Sequence, residues 1–177
     1  MIKQKFCIDN REISSNFPPY VIAEVSANHN GSIQRAKDTI LAAKNAGVDA
    51  VKIQTYTPDT MTIDVENTDF YIKEGFWKNR SLYDLYREAY TPYEWHEELF
   101  KFSNDIGVTL FSSPFDESAV DLLVSLNVPA FKVASFEVVD LPLIKYIASK
   151  KKPILMSTGM ASLEEIGNAV ESAKSAG

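Results

Sequence analysis

Five short apolar runs alternate with five amphipathic helical patterns, and this alternation predicts an α/β fold with a parallel sheet and helices outside it. Two further features point the same way. The runs lack the regular polar residues of a sheet with one face in water. Most of the helical patterns also carry their own start or stop residues.

The elements follow in order. Residues 2–8 and 12–14 flank the turn-like trio Asp9-Asn10-Arg11 and predict a short hairpin, with residues 1–16 as a unit of their own. Phe17-Pro18-Pro19 resets the chain, and Tyr20 to Ser26 reads as the first buried strand. Ser32 is placed to cap a helix whose Ile33, Ala36, Ile40 and Ala43 share a face, and Gly47 closes it. Asp49 to Thr55 is the second strand. The connection over residues 57–90 is long and aromatic, the kind of loop that is functional or partly helical.

Thr91-Pro92-Tyr93-Glu94 reads as a capping box with Pro at the first helical position, opening a helix lined by Leu99, Phe102 and Ile106. Val108 to Ser113 is strand three, and Asp116 opens a helix carrying Ala119, Leu122, Leu123 and Leu126. Strand four lies in Pro129 to Glu137, and Asp140-Leu141-Pro142 starts the helix bearing Ile144, Ile147 and Ala148. Pro153 to Thr158 is strand five. Ser162 and Glu165 form a second capping box ahead of Ile166, Ala169, Val170 and Ala173.

Composition narrows the function. The 177 residues are 45% hydrophobic, enough for one ordinary core, and the net charge of −6 argues against nucleic acid as a partner. Cys7 is the single cysteine, which excludes an internal disulfide and fits a reducing compartment. No run is long and apolar enough to span a membrane, and the N-terminus lacks the apolar core of a secretory signal. The expectation is a cytoplasmic protein without a membrane partner.

The polar residues inside the strands carry the functional signal. Side chains alternate along a strand, so residues two apart share a face. Glu24 is in phase with Ile22 and Ser26, Lys52 with Gln54, Ser113 with Phe111, Lys132 with Ala134, and Ser157 with Leu155. The opposite faces are mostly aliphatic, as packing against helices demands. No Gly-x-Gly-x-x-Gly follows the first strand, which weakens a doubly wound dinucleotide fold. Polar residues gathered near the strand C-termini suit the mouth of a (β/α)₈ barrel.

A lysine within an apolar run needs an anionic partner, either a ligand or a structural carboxylate. Two lysines, hydroxyls and an amide suit a phosphate or carboxylate ligand. Glu24 and Glu137 beside them could do acid–base work or simply neutralise Lys52 and Lys132. His29 lies just past strand one, whereas His96 sits within a helix and is assigned no chemistry. The aromatic run that includes Tyr56, Phe70, Tyr71, Phe76, Trp77, Tyr83, Tyr86 and Tyr90 reads either as a sugar-binding lid or as loop packing.

Several ordered motifs on successive strand ends resemble the sialic-acid-type synthase family. They are Ile22-Ala23-Glu24-Val25-Ser26-Ala27-Asn28-His29-Asn30-Gly31, Val51-Lys52-Ile53-Gln54-Thr55, Ser112-Ser113-Pro114-Phe115, Phe131-Lys132-Val133-Ala134-Ser135-Phe136-Glu137 and Met156-Ser157-Thr158-Gly159-Met160. Together they cover nearly the whole chain. Gln54-Thr55-Tyr56-Thr57-Pro58-Asp59-Thr60 and Ala89-Tyr90-Thr91-Pro92-Tyr93-Glu94-Trp95-His96 look like the pseudaminic acid branch.

The resemblance implies a TIM-type (β/α)₈ barrel, with residues 17–177 supplying its first five βα units after the hairpin. A C-terminal antifreeze-like domain would be absent from the chain. It implies condensation of phosphoenolpyruvate with 2,4-diacetamido-2,4,6-trideoxy-L-altrose to give pseudaminic acid and phosphate. Lys52, Gln54, Ser113, Lys132, Ser135 and Ser157 would hold phosphoenolpyruvate, Phe115 would wall the site, and Glu24 and Glu137 would lie beside the reacting carbons. Asn28, His29 and Tyr56 are candidates for the sugar site.

The family also uses Mn²⁺ or Mg²⁺, whose ligands would lie beyond residue 177, and forms a homodimer at full length. The chain alone is therefore expected to be inactive. Alternatives are N-acetylneuraminate or legionaminate synthase, a class I aldolase using Lys132, and a non-catalytic truncated barrel.

Overall fold

The computed structural model describes residues 6–9 and 11–177. The hairpin is present as β1 (Phe6–Ile8) and β2 (Arg11–Ile13), antiparallel, with Phe6 opposite Ile13 and Ile8 opposite Arg11. The parts of the expected hairpin at residues 2–5 and 10 lie outside the described residues.

Five strands form one parallel sheet: β3 (Ile22–Glu24), β4 (Ala50–Thr55), β5 (Thr109–Pro114), β6 (Phe131–Val133) and β7 (Ile154–Met156). Their order in the sheet is their order in the chain. A doubly wound sheet reverses direction at a switch point. Here every crossover steps the same way, as in a barrel wall.

The connecting helices make one outer layer. α1 (Ile33–Asn45) precedes β4, and the long connection holds α2 (Pro58–Met61), a 3₁₀ turn over Thr68–Phe70 and α3 (Leu82–Ala89). After it come α4 (Tyr93–Ile106), α5 (Glu117–Ser125), α6 (Leu141–Ser149) and α7 (Leu163–Ala176). α1 packs on α4, α5 on α6, and α6 on α7. The core lies between this layer and the outward sheet face, where Ile40, Val51, Ile53, Leu99, Leu123, Phe131, Ile144 and Ile147 are all buried.

Most helix signals act as read. Ser32 accepts from the Arg35 amide at 3.3 Å, and Asp116 accepts from Ser118 and Ala119 at 3.0 and 3.2 Å. Asp140 accepts from Leu143 at 3.0 Å. Ser162 and Glu165 close a reciprocal capping box, Ser162 accepting from the Glu165 amide at 3.2 Å and donating its own amide at 2.7 Å. The Thr91 box does not form. Pro92 is the N-cap of α4 with no side-chain cap bond, because the Thr91 hydroxyl is buried 3.5 Å from His29 Nε2.

The hairpin and the strand N-termini meet at the end of the sheet away from the polar motifs. Arg11 pairs with Asp49, just before β4, and donates to the Pro18 and Pro19 carbonyls at 3.2 and 3.1 Å. Thr109, which opens β5, donates to Asp9 at 3.0 Å. Both contacts anchor the floor and leave the C-terminal ends of the strands to the long connection and the βα loops.

Candidate active site

Register fixes which side chains stand together, because residues paired in parallel strands project to the same face. Glu24 pairs with Lys52 and Lys52 with Phe111; two residues on, Gln54 pairs with Ser113. Across the sheet Lys132 pairs with Leu155, while the partnership of Ser112 with Phe131 places both on the outward face. Glu24, Lys52, Gln54, Ser113, Lys132 and Ser157 therefore belong to the inward face, near the C-terminal strand ends.

Lys52 is almost wholly buried and lies 3.3 Å from the Glu24 carboxylate. Lys132 donates to the carbonyl of Val133 at 2.6 Å. Burial pushes its ammonium pKa down, and the positive charge of Lys52 adds to the effect, while Glu24 and Glu137 oppose it. The four charges thus share one electrostatic neighbourhood, although they come from β3, β4, β6 and the turn after β6.

Glu137 lies in the 3₁₀ turn Phe136–Val139. Burial raises its carboxyl pKa, only partly offset by its own backbone amide and by Lys132. One oxygen, Oε2, is buried without a hydrogen-bond partner, and so is the Ser113 hydroxyl. An unpaired buried polar atom costs about 1–3 kcal/mol, so these two, at one end of the sheet, are open to a polar partner.

Ser135 and Ser157 complete this rim. The Ser157 amide donates to the Val133 carbonyl at 3.0 Å, which carries the β6–β7 ladder beyond the strand ends. Gly159 folds over Ser135 at φ +38°, and a Cβ there would meet the Ser135 Cβ at 2.5 Å and Oγ at 2.8 Å. Only glycine allows that approach.

Aromatic rings form a roof. Tyr56, buried, meets Phe115 edge to face at 5.5 Å and Tyr86 at 5.8 Å. Burial raises the Tyr56 phenol to about 12. Tyr86 is carried in on α3, and the charge of Glu137 adds to the burial that raises its phenol. α3 is itself tied to α2 by Tyr83, which donates to Asp59 at 3.0 Å. Tyr86 and Tyr83 both belong to the aromatic run read from the sequence, and their spacing of three sets them on neighbouring positions of one helix.

Asn28 and His29 differ in accessibility. Asn28 is exposed, its amide donating to Val25 at 3.0 Å. His29 is 1% exposed, stands edge-on to Trp95 at 5.5 Å, and accepts from the Gly31 amide at 3.2 Å through Nδ1. Its imidazole is held below its ordinary pKa by burial.

The outward face holds a polar network that the sequence reading did not anticipate. Thr55 Oγ1 lies 2.8 Å from His96 Nε2 and 2.6 Å from Ser112 Oγ, and Ser112 also donates to the Ile53 carbonyl at 3.2 Å. All three side chains are buried. Among the described residues no three His, Cys, Asp or Glu side chains gather to hold a metal ion. Both histidines are engaged within the protein, His29 with Gly31 and Thr91 and His96 with Pro92 and Thr55.

Known proteins match this geometry and sequence. The model of the NeuB family matches residues 39–177. The chain belongs to the NeuB family. It is 49% identical over 147 residues to the pseudaminic acid synthase of Campylobacter jejuni subsp. jejuni serotype O:2, an overlap of 83% of this chain and 43% of that protein. It is 36% identical over 160 residues to the N,N'-diacetyllegionaminic acid synthase of Legionella pneumophila subsp. pneumophila, covering 90% of this chain and 45% of that one.

Among NeuB-like solved structures, the N-acetylneuraminic acid synthetase of Leptospira borgpetersenii serovar Hardjo-bovis, in complex with citrate, superposes with a TM-score of 0.83. The match has 26% identity and covers 97% of this chain and 55% of that one. The chain spans 43% and 45% of the two curated NeuB relatives, a little under half of each. No helix among the described residues is long and apolar enough to cross a membrane.

Proposed function

We propose that this chain supplies the phosphoenolpyruvate site of a pseudaminic acid synthase, built as the first five βα units of a (β/α)₈ barrel. The observation that carries the reading is the placement of Lys52 and Lys132 on one inward face, beside an unpartnered Ser113 hydroxyl. Two ammonium groups and a free donor suit an anion bearing both a carboxylate and a phosphate. Gln54, Ser135 and Ser157 add donors around them, and Phe115 walls the site. The higher identity to a pseudaminic acid synthase than to a legionaminic acid synthase, 49% against 36%, supports the choice of sugar.

In this reading carbon 3 of phosphoenolpyruvate attacks the aldehyde carbon of 2,4-diacetamido-2,4,6-trideoxy-L-altrose, forming the new C–C bond. The aldehyde oxygen takes a proton. Water adds to carbon 2 and gives up a proton, and the C2–O bond breaks to release phosphate. Glu137, whose buried carboxyl keeps its proton to higher pH than an exposed one, suits the donor role. Glu24, paired with Lys52 at the open side, suits the water. The aromatic roof of Tyr56, Phe115 and Tyr86 would cover the acetamido sugar.

The test is phosphate release from phosphoenolpyruvate with each candidate sugar, using protein expressed from its complete gene. Release with the diacetamido-trideoxy-altrose and little with N-acetylmannosamine is expected. Release only with another sugar would move the protein to a different branch, and none with any sugar would end the reading.

A further inference from the structure

His96 has no place in the chemistry above, yet it is one of the most deeply buried polar groups of the chain. Its Nδ1 lies 3.0 Å from the Pro92 carbonyl, which can only accept, so Nδ1 carries the proton. The neutral ring then accepts at Nε2 from the Thr55 hydroxyl, and Thr55 Oγ1 in turn accepts from Ser112, whose proton is shared with the Ile53 carbonyl. Partner chemistry alone fixes every donor in this chain of bonds.

Its location gives it meaning. Thr55 follows Gln54, and Ser112 precedes Ser113. By strand alternation the two hydroxyls point outward while Gln54 and Ser113 point inward. Gln54 and Ser113 are themselves register partners. The network therefore bridges β4 and β5 at the same level as these two inward groups, and α4 clamps it from outside. β4 and β5 pair through six residues, up to Thr55 with Pro114, whereas β5 and β6 pair only at Ser112 with Phe131, so the far end of β5 is held in the sheet from the β4 side alone, the side the network bridges.

We propose that His96, through Thr55 and Ser112, is a positioning residue that holds Gln54 and Ser113 in register for phosphoenolpyruvate. This rests on the functional reading above. It assigns work to a buried helix residue that touches neither substrate, and it makes the anion half of the site depend on the outer helix layer.

The experiment compares Michaelis constants for the two substrates in the protein expressed from its complete gene. Thr55→Val keeps the shape and removes the hydroxyl. It should raise the KM for phosphoenolpyruvate about tenfold, the equivalent of about 1.4 kcal/mol, with the sugar KM changed less than about twofold. Thr55→Ser restores the hydroxyl and should recover most of the loss. His96→Leu should act in the same direction, and combining it with Thr55→Val should add little, because both break one network.

An unchanged phosphoenolpyruvate KM in Thr55→Val, or equal rises for both substrates, would overturn the inference. Gln54→Ala and Ser113→Ala serve as the control. If both raise the phosphoenolpyruvate KM while Thr55→Val does not, only the positioning role fails. If neither does, the assignment of the anion site fails, and the positioning role falls with it.

Discussion

Glu24 and Lys52 are register partners on the first two strands of the parallel sheet, 3.3 Å apart, with 58% of the glutamate side chain exposed and 6% of the lysine. The pair is half open to water, so its contribution to stability is small. Its value lies in holding a buried cation beside a reachable carboxylate. Glu24→Gln should leave unfolding free energy within about 1 kcal/mol and lower turnover by on the order of a hundredfold. Near-normal turnover would remove Glu24 from the proton chemistry.

Lys52→Ala and Lys132→Ala should each weaken phosphoenolpyruvate binding by about 2–5 kcal/mol, as for truncation of other buried charge pairs. Titration of the anion by calorimetry reads this directly. The lowered Lys132 ammonium pKa also leaves room for imine chemistry. Borohydride added during turnover should trap no Lys132 adduct; a trapped adduct would favour a class I aldolase instead.

Glu137 holds its proton above the ordinary carboxylate range because its carboxyl is half-buried. Between that ordinary range and its raised value, the folded state binds more protons than the unfolded chain, so this group's contribution to stability falls as pH rises. Glu137→Gln should therefore stabilise the fold near neutral pH, with the gain vanishing below the ordinary carboxylate range. Denaturant unfolding at several pH values reads the difference, and the variant should also lose one limb of the kcat–pH profile.

His29 and His96 have the opposite sign. Burial lowers both imidazoles, so the unfolded chain binds the extra protons as pH falls below the ordinary histidine value of 6.5. Their contribution is complete above that value and declines as pH drops towards the lowered ones. Urea midpoints should fall between pH 7.5 and pH 5.5, and His96→Gln should flatten the slope. A midpoint that does not move over that range would contradict the burial of both rings.

Gly159→Ala should be costly at a surface-like position. The new Cβ would sit 2.5 Å from the Ser135 Cβ, and the backbone is already at φ +38°. Displacement of Ser135 should raise the phosphoenolpyruvate KM, with a stability loss of about 1–3 kcal/mol. Wild-type kinetics in this variant would place Ser135 outside the anion site.

Local rules account for the strand faces and the helix caps. Period-two alternation placed Glu24, Lys52, Gln54, Ser113, Lys132 and Ser157 on one face, and register keeps them there, because side-chain direction along a strand is a property of the strand alone. The Ser162–Glu165 box and the Asp116 and Asp140 caps formed because their partners lie within three residues.

Tertiary structure decided everything that joins distant segments. Thr91 turned to His29, 62 positions away, instead of capping its own helix, and His96 met Thr55 across 41 residues. Tyr86 came against Tyr56, and within reach of the Glu137 charge, only through the path of the long connection. Such meetings depend on how each helix is rotated and how the strands are staggered. Packing of the whole layer fixes those angles, and no periodicity within a single segment records them.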